Sequence, residues 1–277
     1  VSLYNYGHYI QHALKSVCKQ TIASDVELIV VDDCSTDESV GIVNHFLRNN
    51  ASLINRLAAF HLEEHKQNRG LAAARNTGFN LATTDYVLIL DADNYLFSQA
   101  CACLLDALVK TSKYTGAVYP IMAVEGHPMQ KVANELPWDP QRLRNGNYID
   151  AMSLVRRESW EKVGGFQHTP GGWEDFDFWC RFIENGLEAK QVTKLLGCYR
   201  HHVDSMKNSE TNRINANDFY SLYKAKPNKI LLIDVRENEE FLTSAIEGSV
   251  SIPLSHLNED SDLEFIQKES LSKEVFT

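Results

Sequence analysis

Two apolar stretches that each run into clustered aspartates constrain the fold of this chain more than any other feature. Val26–Val31 precedes Asp32-Asp33, and Asp85–Leu90 precedes Asp91-Ala92-Asp93. Their length and apolar content predict strands that are buried on both faces, as in parallel sheets. The carboxyl ends of parallel strands meet at one edge of an open α/β sheet, and ligands bind there. The sequence therefore predicts one acidic ligand site at this edge.

Strands and helices alternate through residues 1–121, and this alternation indicates the fold class. Apolar residues at helical spacing predict helices near 9–17, 39–47, 71–82 and 98–110, and further apolar runs predict strands near 57–62 and 116–121. Such alternation predicts βαβ units with right-handed crossovers. We therefore expect an α/β fold with a mostly parallel sheet and helices on both faces. Ser35, with Glu38 three residues later, predicts a capping box for the helix that begins at Ser39.

The composition argues against several classes of partner. The 277 residues include 27 basic and 37 acidic side chains, for a net charge of -10, whereas tight non-specific nucleic-acid binding depends on basic residues that neutralise phosphates. We therefore predict no nucleic-acid partner. No apolar run approaches the roughly 20 residues of a membrane span, and the six cysteines include no CxxC pair, as expected for reduced thiols in a cytosolic protein. We predict a cytoplasmic location, and peripheral association with the inner face of the membrane stays open.

Asp91 and Asp93 are the first candidate ligands. Residues i and i+2 of an extended segment point to one side, so both carboxylates leave the strand end together. Hard cations such as Mg²⁺ and Mn²⁺ prefer oxygen ligands, typically a carboxylate or two with substrate phosphates and water. A solvated acidic turn is the alternative. For Asp33, a hydrogen bond to a nucleobase or ribose competes with the ordinary preference of acidic residues for helix N-termini.

A second pair of carboxylates, Glu174-Asp175, follows Gly171-Gly172 at a predicted helix start. The positive end of a helix favours the ionised carboxylate that a general base needs. The alternative is the everyday enrichment of acidic residues in a first helical turn. His201 and His202 point in opposite directions if they lie in a strand, so at most one imidazole can reach a site.

Two further features have open interpretations. Arg75 lies in a run of small residues that suits close packing of a helix against the sheet, and its guanidinium either anchors that helix or faces a nucleotide. The stretch 126–147 is rich in loop residues, including Pro128, Pro137 and Pro140. We interpret it as a lid or an insertion on the acceptor side of the site.

Taken in order, these motifs define a pattern that spans about residues 1–205. The segments of this pattern are Ser2–Asn5, Val30–Asp37, Asn68–Gly78, Leu90–Asp93, Gly164–Phe166, Gly172–Asp177 and Tyr199–His202. The pattern resembles family 2 glycosyltransferases with the GT-A nucleotide-diphospho-sugar transferase fold. That family has several residues before the Tyr4 position in its first strand, so we expect a shortened first strand here.

The resemblance implies a nucleotide-sugar donor, usually a UDP-sugar, a divalent cation (Mn²⁺ or Mg²⁺) and transfer with inversion. By matching positions, Ser2, Tyr4, Asp33 and Arg75 would bind the nucleotide-sugar, with Tyr4 stacked on the base and Asp33 against the base or ribose. The acceptor would be a hydroxyl of a glycan or a lipid-linked molecule. The pathway would be glycan or polysaccharide synthesis.

The resemblance also implies roles for the remaining candidates. Asp93 would ligate the metal directly, Asp91 would lie near both ribose and metal, and His202 would complete the metal site. Asp175 would be the general base, and Glu174 would bind or orient the acceptor. The alternative to an enzyme is a non-catalytic module with the same fold that binds a nucleotide or glycan.

The last quarter of the chain has a different pattern. Residues 206–228 are polar and predict a linker or tail helix. Residues 229–277 begin with a βα pattern and resemble the first half of a rhodanese-like domain, through Ile230–Glu237 and Ala245–Leu254. That family transfers sulfur through a cysteine, and no cysteine follows Cys198. We therefore expect an incomplete, loosely packed segment without thiolate chemistry.

Overall fold

Strands and helices alternate from the first strand of the chain to the sixth, as the sequence predicts, except that two helices (Ser39–Asn49 and Ala51–Ile54) and two strands (Tyr86–Leu88 and Tyr95–Leu96) directly follow one another. The computed structural model describes residues 1–127, 129–169, 172–202, 230–234, 249–252 and 274–276, and the chain divides into the units Val1–Asn212 and Arg213–Thr277. The described helices of the first unit are α1 (Gly7–Cys18), α2 (Ser39–Asn49), α3 (Ala51–Ile54), α4 (Leu71–Leu81), α5 (Ala100–Val109), α6 (Pro140–Asn145), α7 (Arg157–Lys162) and α8 (Glu174–Glu184). Its described strands are β1 (Ser2–Leu3), β2 (Glu27–Asp32), β3 (Ala59–Glu64), β4 (Tyr86–Leu88), β5 (Tyr95–Leu96), β6 (Thr115–Glu125), β7 (Val132–Ala133), β8 (Leu154–Arg156) and β9 (Glu188–Arg200).

The N-terminal sheet is parallel and brings the two acidic strand ends together. Its order is β1-β2-β3, and both pairs are parallel. On the other side of β1, the Ser2 N–H donates to Leu90 O at 3.1 Å and the Ala92 N–H donates to Ser2 O at 3.0 Å, which forms a parallel bridge to Asp91. Strand β1 therefore lies between the two segments that end in aspartates, and the prediction that these ends share one sheet edge is confirmed.

The second sheet is mixed, which corrects the expectation of a mostly parallel sheet. Its order is β4-β8-β6-β9-β5, with β7 paired to β6. Strands β6 and β9 are parallel, whereas β4 with β8, β8 with β6 and β5 with β9 are antiparallel. The strand–helix alternation of the sequence ends after β6, and β8 returns through the loop-rich stretch. Parallel pairing needs a long crossover, whereas such a return also permits antiparallel pairing.

Two hydrophobic cores cover the two faces of this sheet. Successive residues of a strand point to opposite faces, and in β6 Val118 joins one core while Tyr119 joins the other. In β8 Leu154 and Val155 divide in the same way. The first core contains buried residues of α1, α2 and α5, and the second contains those of α4, α7 and α8. The predicted placement of helices on both faces is thus confirmed.

The predicted capping box at α2 is wrong, although the helix begins at Ser39 as expected. Glu38 is the N-cap residue and makes no side-chain capping bond. The Ser35 hydroxyl instead donates to Asp32 Oδ1 at 2.5 Å, while Asp37 Oδ1 accepts from the Ser39 N–H at 2.9 Å. Because the Ser35 hydroxyl is hydrogen-bonded to Asp32 at the end of β2, it does not cap the helix.

The described residues of the second unit form a small parallel sheet. Its strands are β10 (Ile230–Asp234), β11 (Val250–Ser251) and β12 (Glu274–Phe276), in the order β11-β10-β12. The strand predicted at the start of this segment is confirmed. The predicted linker, 206–228, and the remainder of the rhodanese-like segment lie outside the described residues, so that resemblance stays a prediction. Within the described ranges of both units, no helix has the length and apolar character needed to cross a membrane.

Candidate active site

Asp91 joins three parts of the fold: the end of β1, the Asp91-Ala92-Asp93 segment and helix α4. The Ser2 hydroxyl donates to Asp91 Oδ1 at 2.6 Å, and Arg75 Nη2 donates to Asp91 Oδ2 at 3.0 Å. Arg75 is a residue of α4, which packs against β1 and β2. Three predicted site residues therefore meet at one carboxylate.

Arg75 also connects this cluster to helix α8. Its Nη1 donates to Glu174 Oε1 at 2.7 Å, and both side chains are less than a tenth exposed. Burial alone would lower the pKa of Arg75, but the carboxylates of Asp91 and Glu174, followed by Asp175 and Asp150, raise it. The guanidinium thus stays charged and links Asp91 to Glu174. This geometry agrees with the anchoring alternative for Arg75, while its contact with a nucleotide stays a prediction.

Asp93 meets His202 at the end of β9. Asp93 Oδ2 lies 3.1 Å from His202 Nε2, and the side chains are 11% and 13% exposed. His201 points elsewhere, because its ring packs edge-on against His127. The expectation that only one imidazole reaches the site therefore agrees with the geometry, and that imidazole belongs to His202.

The second oxygen of Asp93 is a candidate metal ligand. Asp93 Oδ1 is buried and has no hydrogen-bond partner among the described residues. Burial and, to a lesser extent, Asp91 raise the pKa of Asp93, against the lowering effect of the bond to His202. A buried carboxylate oxygen without a donor is unusual, and a hard cation would satisfy it. The described residues nevertheless hold no preassembled group of three metal-binding side chains.

Asp33 is buried at the end of β2 and binds groups of the protein itself. Its carboxylate accepts from the Arg69 N–H at 2.9 Å and from the Gly70 N–H at 2.7 Å, and His65 Nδ1 lies 2.6 Å from Oδ1. Gly70 has a φ of +84°, which suits the glycine there. Asp33 therefore holds the loop that leads into α4. Tyr4, at the end of β1, is 43% exposed, and the contacts of both residues with a nucleotide stay predictions.

Asp175 lies in the first turn of α8, and the pKa of its carboxyl group is strongly raised. Burial, followed by the charges of Glu174 and Asp150, raises its pKa from 3.8 to about 7. Asn147 Nδ2 donates to Oδ2 at 3.0 Å and the Phe176 N–H donates to Oδ1 at 2.7 Å. A carboxylate with a pKa near the working pH has both the ionised population and the proton affinity that a general base needs.

Sequence analysis missed Asp150. Burial, followed by the charge of Asp91, raises the pKa of Asp150 to about 6, and Asp93 acts in the same direction. Its Oδ1 accepts from the Met152 N–H at 2.8 Å, and its own N–H donates to Asn134 Oδ1 at 2.8 Å. The only feature of the sequence that could have identified Asp150 is its position shortly before a strand. Because β8 runs antiparallel to β4, the beginning of β8 lies at the same sheet edge as the end of β4.

Arg200 lies within the Tyr199–His202 motif, which assigned it no role, and it connects the end of β9 with the Asp91–Asp93 segment. Its backbone N–H donates to Asn94 Oδ1 at 2.9 Å and its Nη1 donates to Asp93 O at 2.6 Å. The guanidinium carbon lies 5.1 Å from the Tyr9 ring centroid and 4.8 Å from that of Tyr95. These bonds hold the backbone at Asp93 and Asn94 against the backbone that leads to His202.

The fold is that of GT-A-like glycosyltransferases, with a parallel N-terminal half and a mixed second half around an acidic cluster. Solved structures agree with this class. S. aureus TarS 1-349 in complex with UDP-GlcNAc has a TM-score of 0.60 and 21% identity, over 81% of this chain and 63% of that one. The mannosyltransferase PcManGT from Pyrobaculum calidifontis, in complex with GDP-Man and Mn²⁺, has a TM-score of 0.53 and 23% identity, over 72% and 55%.

Sequence relatives define the family. Residues 1–164 match the family described as glycosyl transferase family 2. The putative teichuronic acid biosynthesis glycosyltransferase TuaG of Bacillus subtilis is 33% identical over 208 residues, which are 71% of this chain and 75% of TuaG. The chondroitin synthase of Pasteurella multocida is 27% identical over 222 residues, which are 78% of this chain but only 22% of that protein. The chain belongs to glycosyl transferase family 2, and the predicted family and enzyme class are confirmed.

Proposed function

We propose that this protein transfers a sugar from a nucleotide-sugar, most directly a UDP-sugar, to a hydroxyl acceptor in glycan or polysaccharide synthesis, with inversion at the anomeric carbon. The observation that carries the proposal is Asp175, a partly buried carboxylate with a pKa raised to about 7 at the N-terminal end of α8. The UDP-GlcNAc named in the TarS structure and the synthase relatives support the donor and the pathway.

Asp93, Asp91 and His202 are the residues that would hold Mn²⁺ or Mg²⁺. The buried Asp93 oxygen without a donor supports this assignment, as does the Mn²⁺ named in the PcManGT structure. A bound dication would neutralise negative charge on the diphosphate leaving group. Arg75 keeps Asp91 oriented through the bond at 3.0 Å.

Asp175 would take the proton of the acceptor hydroxyl while that oxygen attacks the anomeric carbon, in a single displacement. The proton stays on the Asp175 carboxyl group, and the sugar–phosphate bond breaks on the opposite side of the ring. Glu174 would orient the acceptor, and Tyr4 would stack on the base, with Ser2 and Asp33 near the nucleotide. A lipid-linked acceptor would bring the enzyme to the inner face of the membrane.

A donor screen tests the proposal. UDP-, GDP- and dTDP-sugars are titrated by calorimetry in Mn²⁺ and in EDTA, and release of the nucleoside diphosphate is then followed with glycan and lipid-linked acceptors. We expect one UDP-sugar to bind and react in Mn²⁺ and not in EDTA. Binding without turnover under every condition would instead indicate a non-catalytic binding module.

The Asp175→Asn variant gives the sharpest single test. We expect transfer to fall by about 10²–10⁴-fold, the range typical of a lost general base, while UDP affinity stays close to that of the wild type. The matched control is Asp177→Asn, which makes the same change of residue type on the same helix, at a partly exposed ion pair with Arg181. Full activity of Asp175→Asn would refute the assignment of the base.

A further inference from the structure

The proposed base is held by a side chain that no motif marks. Asn147 lies just after α6, outside helix α8, and its Nδ2 donates to Asp175 Oδ2 at 3.0 Å. The Phe176 N–H donates to Oδ1 at 2.7 Å. Each oxygen of the carboxylate therefore accepts a hydrogen bond, and both bonds favour the ionised form.

The segment that carries Asn147 is attached to α8 at a second point. Trp179 Nε1 donates to Ile149 O at 3.0 Å, and the two side chains are fully buried. Residues 175 and 179 are four apart and so lie on one face of α8. The Asn147 Oδ1 accepts from the Ile149 N–H at 3.2 Å. This bond orients the amide so that its NH₂ group, and not its oxygen, faces Asp175.

We propose that Asn147 is a positioning residue for the base: its amide holds the Asp175 carboxylate in one orientation and keeps it ionised, while the Trp179–Ile149 bond fixes the segment that carries Asn147. The proposal rests on the proposed function, in which Asp175 takes the acceptor proton. Asn147 is the last residue of the 126–147 stretch, which we interpret as facing the acceptor. Through Asn147 this stretch contacts the proposed base directly.

The groups around Asp175 determine how loss of the Asn147 amide would change the pKa of Asp175. Burial, Glu174 and Asp150 raise the pKa of Asp175, whereas Arg75 and the Phe176 N–H lower it. The amide of Asn147 stabilises the ionised form in the same sense as Arg75 and the Phe176 N–H. Its removal should therefore raise the pKa of Asp175 above about 7 and leave less ionised base at neutral and acidic pH.

The test compares wild type with Asn147→Ala and Asn147→Asp. The first readout is kcat/KM for release of UDP against pH, with the donor and acceptor that react best and with Mn²⁺ held constant. The second readout is the titration midpoint of the Asp175 carboxyl group, from ¹³C NMR with Asp175→Asn used for assignment. The control is Asn49→Ala, which removes an exposed asparagine that contacts His45 at the end of α2.

For Asn147→Ala we expect both the acidic limb of the profile and the NMR midpoint to move up by about one pH unit. Activity should then fall about tenfold near pH 6 and change little at pH 9, because one pKa unit is a tenfold change in ionised base below the midpoint. Asn147→Asp should shift further, because it adds a negative charge beside Asp175. Asn49→Ala should match the wild type.

An unchanged Asp175 midpoint in Asn147→Ala would overturn the inference, even if the variant lost activity at every pH. Failure of the proposed function would look different. In that case Asp175→Asn itself would transfer sugar at the wild-type rate, and the pH profile would not follow the Asp175 titration.

Discussion

Arg75 shows how a single side chain determines the electrostatics of this site. Its guanidinium binds Asp91 and Glu174, and all three groups lie within or beside the buried region at the sheet edge. The sequence placed Arg75 in a helix of small residues and left open whether its guanidinium anchors that helix or faces a nucleotide. Its two partners come from positions 16 and 99 residues further along the chain. Local patterns carry no information about such pairs, so the anchoring role could be suggested but its partners could not.

The Arg75→Met variant tests this role at the level of one residue. The substitution keeps much of the side-chain volume and leaves Glu174 buried without its cation. We expect the free energy of unfolding to fall by about 3–5 kcal/mol, as measured by urea denaturation. The control is Lys110→Met, which breaks an exposed pair with Asp106 and should cost less than about 1 kcal/mol. Equal losses in the two variants would contradict the assigned role of Arg75.

Asp33 and Asp150 show the two ways in which reasoning from single residues was incomplete. Asp33 lies at the predicted strand end, but its oxygens accept from the Arg69 and Gly70 backbone and contact His65. These donors are distant in sequence and could not be predicted from it. Asp150 was missed because an aspartate before a strand belongs to the site only if that strand is antiparallel, and the alternation of elements predicted parallel strands.

At the scale of elements, β9 is the strand that the sequence described least well. Strand β9 extends over Glu188–Arg200 and pairs with β6 along its length. The middle of β9 contains exposed polar residues, so the alternation of apolar and polar residues that predicts a strand is interrupted there. The end of β9 positions Arg200 against Asp93 O and precedes His202, so the length of the strand determines where the imidazole lies.

The Arg200→Met variant tests the contribution of this element. Loss of the bond to Asp93 O should loosen two of the proposed metal ligands, Asp93 and His202, which meet beside the end of β9. Groups that orient metal ligands commonly change metal affinity by about 10–100-fold when removed, and we expect a loss in that range for Mn²⁺. Titration of Mn²⁺ followed by electron paramagnetic resonance measures it. Lys190→Met, an exposed change on the same strand, should bind Mn²⁺ like the wild type, and unaltered affinity in Arg200→Met would refute the role.

At the scale of the whole molecule, the acidic site lowers the stability of the folded chain near neutral pH. The pKa values of Asp150 and Asp175 are raised to about 6 and about 7. Between pH 4 and these values the folded state binds more protons than the unfolded state, so the free energy of unfolding falls as pH rises through this range. Above it the penalty is constant.

The Asp150→Asn variant should therefore be more stable than the wild type at pH 8. We expect a gain on the order of 1 kcal/mol in EDTA, measured by urea denaturation. The gain should disappear at pH 4, where the wild-type carboxyl group is protonated in the folded state. A gain of equal size at pH 4 and pH 8 would mean that packing, and not charge, is responsible.

The two halves of the first unit also differ in how far sequence predicts them. The N-terminal half follows from local alternation, because its strands pair in parallel through short helical crossovers. In the second half β6 pairs with β9 and β8 with β4, across separations of about 70 residues, and no local pattern specifies such pairs. The motif order nevertheless identified the family, because it records residues that meet in space without stating how the strands between them pair.

Helix α8 and strand β9 follow one another with only Asn185, Gly186 and Leu187 between them. Asp175, the proposed proton acceptor, lies at one end and His202, beside Asp93, lies at the other, so both belong to one uninterrupted piece of the polypeptide, residues 174–202. A chimaera that exchanges this piece between relatives would carry both groups together in a single transplant. The proposed donor-side residues from Ser2 to Asp93 lie outside this piece, so the exchange would succeed only where the relative also keeps partners for Glu174 and Asp175, which here are Arg75 and Asn147.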